Sequence, residues 1–267
     1  MKVYEWNIGM SATIPSNNGY NLLPWVIDEI LDEEPDCIVL TEFVIAKGFD
    51  YYISKLEENG YQWFVSTTTK FNGILIALKS KTFNFDETFD YNKPTVKTGD
   101  EVLIGNDLPN LYEIQVMWNG RPLSIIGVRI KVDINNENTD YKKNQFKALD
   151  DYLSKQTHDV LCIGDYNAYW GNLWSTPKNT TLNKSMEKGY SLYTPTYKEG
   201  DWYSFVHKNG EKIQLDHLIT NISAQSIPVK YDWNFINQSR YSGEVTAESA
   251  NKPNGKPDHA IIKATII

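Results

Sequence analysis

The run Lys256-Pro257-Asp258-His259-Ala260 leads directly into Ile261-Ile262-Lys263-Ala264-Thr265-Ile266-Ile267, and the reading of the chain starts there. The second part is rich in β-branched residues and predicts a buried strand. The Pro-Asp-His triplet at its mouth fixes a carboxylate and an imidazole on a rigid element. Three other acidic groups stand at the same kind of place. Leu40-Thr41-Glu42 follows Cys37-Ile38-Val39, and Gly164-Asp165-Tyr166-Asn167 follows Val160-Leu161-Cys162-Ile163. Asp216 lies within the apolar run 213–219, and a fifth strand carries Trp6-Asn7 near the N-terminus. Strand ends bearing Asn, Glu, Asp-x-Asn, Asp and Asp-His converge only if the strands share one sheet system. Together they would make a hard-metal site with a histidine beside it.

The 267 residues are enough for one large domain with its own core, and we read 1–267 as a single unit. Apolar runs are strand-sized, which predicts no membrane-spanning segment. The chain passes from Met1-Lys2 straight into a strand, without the apolar stretch of a signal peptide, which points to the cytoplasm. Cys37 and Cys162 fall in expected core strands and read as buried thiols. A net charge of −8 argues against loose adhesion to nucleic acid or anionic lipid. It leaves open a nucleic-acid substrate held through a divalent cation, with lysines 142, 143, 147, 252 and 256 as a basic patch.

Strand-like and helix-like segments alternate along the chain. The pattern predicts strands over 3–8, 36–40, 61–66, 74–78 and around Val160. It predicts helices over the Leu22–Leu31 periodicity, around Tyr51–Leu56, and across Phe146, Leu149 and Leu153. Segments 112–118 and 122–132 flank Asn119-Gly120, a hairpin signal, and 203–207 and 211–220 flank Asn209-Gly210 in the same way. The stretch 83–107 reads as an excursion loop with an edge strand. Strands joined first through helices and then through hairpins give a mixed sheet system covered by outer helices.

The ordered set Trp6-Asn7-Ile8, Asp36-Cys37-Ile38-Val39-Leu40-Thr41-Glu42, Gly164-Asp165-Tyr166-Asn167, Leu215-Asp216-His217-Leu218-Ile219 and Pro257-Asp258-His259 resembles the endonuclease/exonuclease/phosphatase superfamily. That group includes DNase I-like nucleases, abasic-site endonucleases, sphingomyelinases and inositol polyphosphate 5-phosphatases. The resemblance spans nearly the whole chain and rests on five motifs in order, each weak by itself. It implies an α/β fold: a DNase I-like, four-layer α/β/β/α sandwich with two mixed sheets face to face and helices outside. It also implies hydrolysis of a phosphoester with Mg²⁺ or Mn²⁺, at the edge where the sheets meet.

The residue types suit that chemistry. A hard divalent cation takes oxygen ligands and keeps several waters, so one carboxylate and an amide suffice to anchor it. Glu42 is the expected direct ligand, Asn7 its neighbour on a metal water or a phosphate oxygen, and Asp258 a second or water-mediated ligand. His259 would accept the proton of the attacking water or serve as the electrostatic partner of the phosphate. The resemblance implies that Asp216 bonds His259, that Asp165 orients the water, and that Asn167 donates to phosphate oxygens. Taken singly, every one of these residues has an ordinary explanation as a turn, cap or surface pair. Their joint order carries the reading. His217 alternates to the opposite face from Asp216 and reads as structural, and His158 and His207 fall on turns or hairpin ends. The histidines show no zinc-like spacing.

Two positions depart from the pattern. Arg129 stands where many relatives carry a histidine or tyrosine against the phosphate. An arginine can hold a phosphate bidentately or pair with a carboxylate such as Asp133, but it is no general acid at pH 7. Gly9 replaces a residue that is charged in some relatives, which weakens the case for two metals. Trp170, Trp174, Trp202 and Tyr203 would border the cleft, to stack on bases or to pack the loops down. The leading expectation is a monomeric DNA nuclease acting by water attack. The alternatives are a phosphatase or phosphodiesterase for a small phosphorylated metabolite, and a catalytically silent binding module on the same fold.

Overall fold

The computed structural model describes residues 1–9, 22–66, 73–85, 108–132, 141–169, 182–195, 201–207, 209–237 and 257–267. Asp133, Trp170, Trp174, Lys252 and Lys256, and most of the excursion expected over 83–107, lie outside them. Two large sheets form the centre. The first contains β1 (Lys2–Asn7), β2 (Cys37–Phe43), β3 (Tyr61–Val65), β4 (Gly73–Lys79), β12 (Val229–Asp232) and β13 (Ile261–Thr265). Its order is β12-β13-β1-β2-β4-β3. The second contains β5 (Asn110–Trp118), β6 (Arg121–Arg129), β7 (Asp159–Asp165), β8 (Ser191–Tyr193) and β11 (Asp216–Thr220), in the order β5-β6-β7-β11-β8. Each sheet is mixed: β1 and β2 run parallel, as do β6 and β7, and the remaining pairs are antiparallel.

Alternation along the strands separates the layers. On β6 and β7, Ile125, Leu161 and Ile163 join the core shared with the first sheet. Their neighbours Ile126, Val128, Val160 and Cys162 face outward and pack with Phe146, Leu149 and Leu153 of helix α3 (Tyr141–Leu153). On the other side, Val26, Ile27 and Ile30 of α1 (Pro24–Leu31) and Tyr52 and Leu56 of α2 (Phe49–Glu58) cover the first sheet. Pro24 opens α1, where its missing N–H is harmless. A short α4 (Asn183–Glu187) packs beside α3. The result is the α/β/β/α sandwich.

The expected second hairpin forms around Asn209-Gly210, but its extent is corrected by the structure. Segment 211–220 does not run as one strand opposite 203–207. β9 (Phe205–Val206) and β10 (Lys212–Ile213) make a two-residue ladder of their own, and the chain breaks at Gln214-Leu215. Ser204 holds the break: its Oγ accepts from the backbone N–H groups of both Leu215 and Asp216, at 2.8 and 3.1 Å. β11 then leaves to pair with β7. β8 and β12 were not foreseen, because three or four residues are too few for a period to register.

The two sheets approach closely at Gly127. A β-carbon there would stand 2.5 Å from Ile74 Cγ2 and 3.0 Å from Val39 Cγ1, both on the facing sheet. Gly127→Val therefore forces the sheets apart. It should lower stability by about 1–3 kcal/mol, read as a lower urea midpoint, and an unchanged midpoint would contradict this packing.

Candidate active site

The topology brings one end of six strands together. β1 and β2 end in parallel at Asn7 and Thr41-Glu42, and antiparallel β13 begins beside them just after Asp258-His259. In the second sheet, β6 and β7 end in parallel at Arg129 and Asp165, which are register partners, and antiparallel β11 begins with Asp216 opposite Asp165. Asn7, Glu42, Arg129, Asp165, Asp216, Asp258 and His259 are all buried. Asn167, just beyond β7, is partly buried.

Side-chain bonds join the two sheets across this edge. Asn7 Nδ2 donates to Asp165 Oδ2 at 3.0 Å, and Asn7 Oδ1 accepts from Gly9 N at 3.0 Å. Asn167 gives Asp165 two bonds, from its backbone N to Oδ1 and from Nδ2 to Oδ2, each 2.8 Å; Nδ2 also donates to Ile130 O at 2.8 Å. Asn167 thus serves Asp165 directly. His259 Nδ1 lies 2.8 Å from Asp216 Oδ2, and its ring centroid is 4.9 Å from that of Phe205. Trp6 Nε1 donates to the His259 carbonyl at 2.9 Å, tying β1 to the entry of β13.

Glu42 and Asn167 both hold left-handed backbone conformations, at φ 54° and 48°. Asparagine tolerates that region, but for glutamate it stores strain. The strain at Glu42 coincides with a bulge, since the β2–β4 register shifts between Thr41 and Phe43. A bulge of this kind re-aims a side chain, and here the carboxylate meets Arg129. Arg129 Nε donates to Glu42 Oε1 at 2.8 Å, Nη2 approaches the same oxygen at 2.5 Å, and Asp165 Oδ2 is 3.9 Å from Nε. Of the two expectations for Arg129, the ion pair is the one seen, with Glu42 as partner.

Glu5 was missed by the sequence reading. It is wholly buried on β1, two residues before Asn7, where alternation points it to the same face. Thr41 Oγ1 donates to its Oε1 at 2.8 Å; among the described residues Glu5 Oε2 and Asp216 Oδ1 are buried without a hydrogen-bond partner. A glutamate inside a buried strand was the available signal. Lys142 donates to the Asn167 carbonyl at the rim of the site. His217 is structural, as alternation predicts: its Nε2 donates to Ala168 O at 2.8 Å, its Nδ1 lies 3.0 Å from Thr194 Oγ1, and burial pushes its pKa down to about 4. Tyr203 packs against Trp233 with centroids 5.3 Å apart, and Lys212 Nζ sits 4.3 Å above its ring.

Five carboxyl groups therefore share one dry region with one guanidinium and one imidazole. Burial, and next the charge of Asp216, push Asp165 up to about 7, against the pull of His259 and Arg129. Burial pushes Asp258 up to about 6, with His259 opposing and Glu42 adding to the rise. Burial and Asp216 also hold Glu5 well above the usual carboxylate range. Burial alone would lower His259, but Asp216, then Asp165 and Asp258, outweigh it and raise the imidazole well above 6.5.

Among the described residues no three His, Cys, Asp or Glu side chains group tightly enough to cage a metal ion. The donors fit a different kind of ion. All are hard oxygens, and Mg²⁺-class ions need only one or two carboxylates because they keep water. Glu42 would be the anchor, with Asn7 and Asp258 beside it. Zinc is a poor match.

The fold is the DNase I-like sandwich. Danio rerio TDP2 complexed with a single-strand DNA product superposes with a TM-score of 0.63 at 13% identity, covering 100% of this chain and 98% of that one. The 3'-5' exonuclease NExo from Neisseria meningitidis gives 0.61 at 18% identity, over 100% and 99% of the two chains. Beta toxin from Staphylococcus aureus gives 0.63 at 15% identity, over 100% of both. No protein-family model and no curated protein matches the sequence itself.

The raised carboxyl groups make stability depend on pH. In the folded protein Asp165 at about 7 and Asp258 at about 6 hold protons that the unfolded chain, near 3.8, has already released. Their contribution is complete below the unfolded value and is lost as pH rises through the folded one. His259, also raised, acts in the same direction. In EDTA the melting temperature should fall as pH rises from about 4 to about 7. Asp165→Asn should flatten that fall, as followed by circular dichroism; an identical slope in the variant would contradict the assignment.

Proposed function

We propose that this chain is a phosphoester hydrolase, assisted by Mg²⁺ or Mn²⁺, that cleaves phosphodiester bonds in DNA by water attack. The observation that carries the reading is the His259–Asp216 pair, 2.8 Å apart, set beside an Asp165 that Asn7 and Asn167 hold from both sides. Asp165, brought near neutrality by its burial and Asp216, is suited to take the proton of the attacking water. His259, kept protonated by its carboxylate neighbours, offers positive charge and an N–H to a phosphate oxygen. Asn7 fixes the Asp165 carboxylate against rotation. Arg129 and Lys142 add positive charge at the same edge. A divalent ion at Glu42, Asn7 and Asp258 would supply Lewis-acid charge to the phosphoryl and leaving oxygens.

The D. rerio TDP2 structure holds a single-strand DNA product, and the Neisseria protein is a 3'-5' exonuclease. Both support DNA as the substrate. The net charge of −8 favours a second reading, a small phosphorylated metabolite that needs no extended basic surface. Among the described residues no helix is long and apolar enough to cross a membrane. Two buried free thiols, Cys37 and Cys162, suit a reducing compartment, and we place the protein in the cytoplasm as a monomer.

Nicking of supercoiled plasmid and shortening of single-stranded oligonucleotides, each with Mg²⁺, Mn²⁺ or EDTA, test the reading. The wild type should cleave only with metal. Asp165→Asn and His259→Ala should each reduce the rate by a factor of about 10² or more while keeping most of the thermal stability. Cleavage by His259→Ala at the wild-type rate would remove that residue from the chemistry. Failure on every DNA substrate, with release of phosphate from a small phosphorylated metabolite, would favour the second reading.

A further inference from the structure

We infer that Arg129 is a resident cation of the Glu42 site, which an incoming divalent ion must displace, so that this chain binds its metal more weakly than its carboxylates alone would allow. The inference rests on the reading of Glu42 as the metal anchor given above. Its structural basis is independent of any activity.

The position of Arg129 follows from the strand. Ile125 faces the core between the sheets, and Gly127 meets Val39 and Ile74 of the facing sheet. Arg129 is the next residue of that inward series, whereas Val128 and Ile130 turn outward toward α3. The first inward side chain past Gly127 therefore has to lie under the end of β2, where the bulge delivers Glu42. Both side chains are about nine-tenths buried, at 10% and 11% exposure, and two guanidinium nitrogens approach the one oxygen Oε1.

Charge and geometry then set up a competition. A guanidinium never loses its proton at working pH, so its charge cannot be titrated away. In a dry site it repels a dication strongly, and it already occupies lone pairs that the dication would use. The bulge at Thr41–Phe43, where Glu42 has a φ of 54°, aims the carboxylate at Arg129. Once the ion takes Glu42, the guanidinium remains beside Asp165, at the edge where a substrate phosphate would lie. Arg129 would serve the phosphate only in the metal-loaded protein.

Mn²⁺ binding to the full-length protein, measured by calorimetry and by the electron paramagnetic resonance of free Mn²⁺, tests this without turnover. Arg129→Gln should bind Mn²⁺ at least about tenfold more tightly than wild type, because one nearby unit of positive charge is gone. Arg129→Lys keeps a cation and should stay within about threefold of wild type. Glu42→Gln should remove binding in every background. If Arg129→Gln binds no more tightly while Glu42→Gln still abolishes binding, the competition is refuted and the metal reading stands. If neither wild type nor any variant binds Mn²⁺, both fail. A second measurement needs no folded variant with an emptied site. In wild-type protein labelled with ¹⁵N-arginine, saturating Mg²⁺ should shift the Arg129 Nε–H signal and speed its exchange with water. A signal indifferent to Mg²⁺ would overturn the proposal.

Discussion

The organising constraint of this molecule is the burial of five carboxyl groups at one edge of a dry β-sandwich. Isolated carboxylates in such a place would each carry a desolvation penalty of several kcal/mol. Glu5, Glu42, Asp165, Asp216 and Asp258 can remain there only if protons, fixed cations or bound ions offset the charge. Each device is visible. Arg129 sits on Glu42, His259 sits on Asp216, and burial raises Glu5, Asp165 and Asp258 above the usual carboxylate range, so that they hold protons more readily. Asn7 and Asn167 donate to Asp165 and Thr41 donates to Glu5, while Glu5 Oε2 and Asp216 Oδ1 stay without a hydrogen-bond partner among the described residues.

Holding these groups in register requires rigidity from both sheets. The interface at Gly127, too close for a methyl group, lets β6 lie against β2 and β4, and it places Arg129 against Glu42 one step further on. Gly164 plays a similar part in the strand that carries Asp165. A β-carbon there would stand 1.9 Å from the Val128 carbonyl oxygen, so only glycine lets β7 approach β6 at the residue before the carboxylate. Strain at Glu42 and Asn167 is tolerated because the ladders around them over-determine the backbone. The site lies beside close approaches of the backbone at Gly127 and Gly164.

Much of this could be read from the residues. The strand ends at Asn7, Glu42, Asp165 and Asp258-His259 were legible because long β-branched runs precede or follow them, and a period of two needs length to show. The face of His217 followed from its neighbour Asp216 by alternation alone. β8 and β12 were too short to leave a pattern, and the break at Gln214-Leu215 depends on Ser204, a contact that propensity cannot register. The partner of Arg129 was out of reach for a similar reason. Nothing local in 124–130 says that a bulge on another sheet turns Glu42 toward it. Glu5 was overlooked because a lone glutamate in a strand usually faces water, and only the second sheet makes that face dry.

The shared burial also links the protonation of Glu5, Asp165, Asp258 and His259. Asp216 acts on three neighbours: its charge raises Asp165 and Glu5, and it supports the charge of His259. Any positive charge that enters at Glu42 lowers the proton affinity of the carboxyl groups around it, so cation entry and proton release are linked by necessity. On the proposed reading the same linkage would divide the labour between two groups. His259 is held by Asp216 and raised further by Asp165 and Asp258, which favours its protonated form. A cation arriving at Glu42 would ease the loss of the Asp165 proton, so the group proposed as base would be charged most readily in the loaded site.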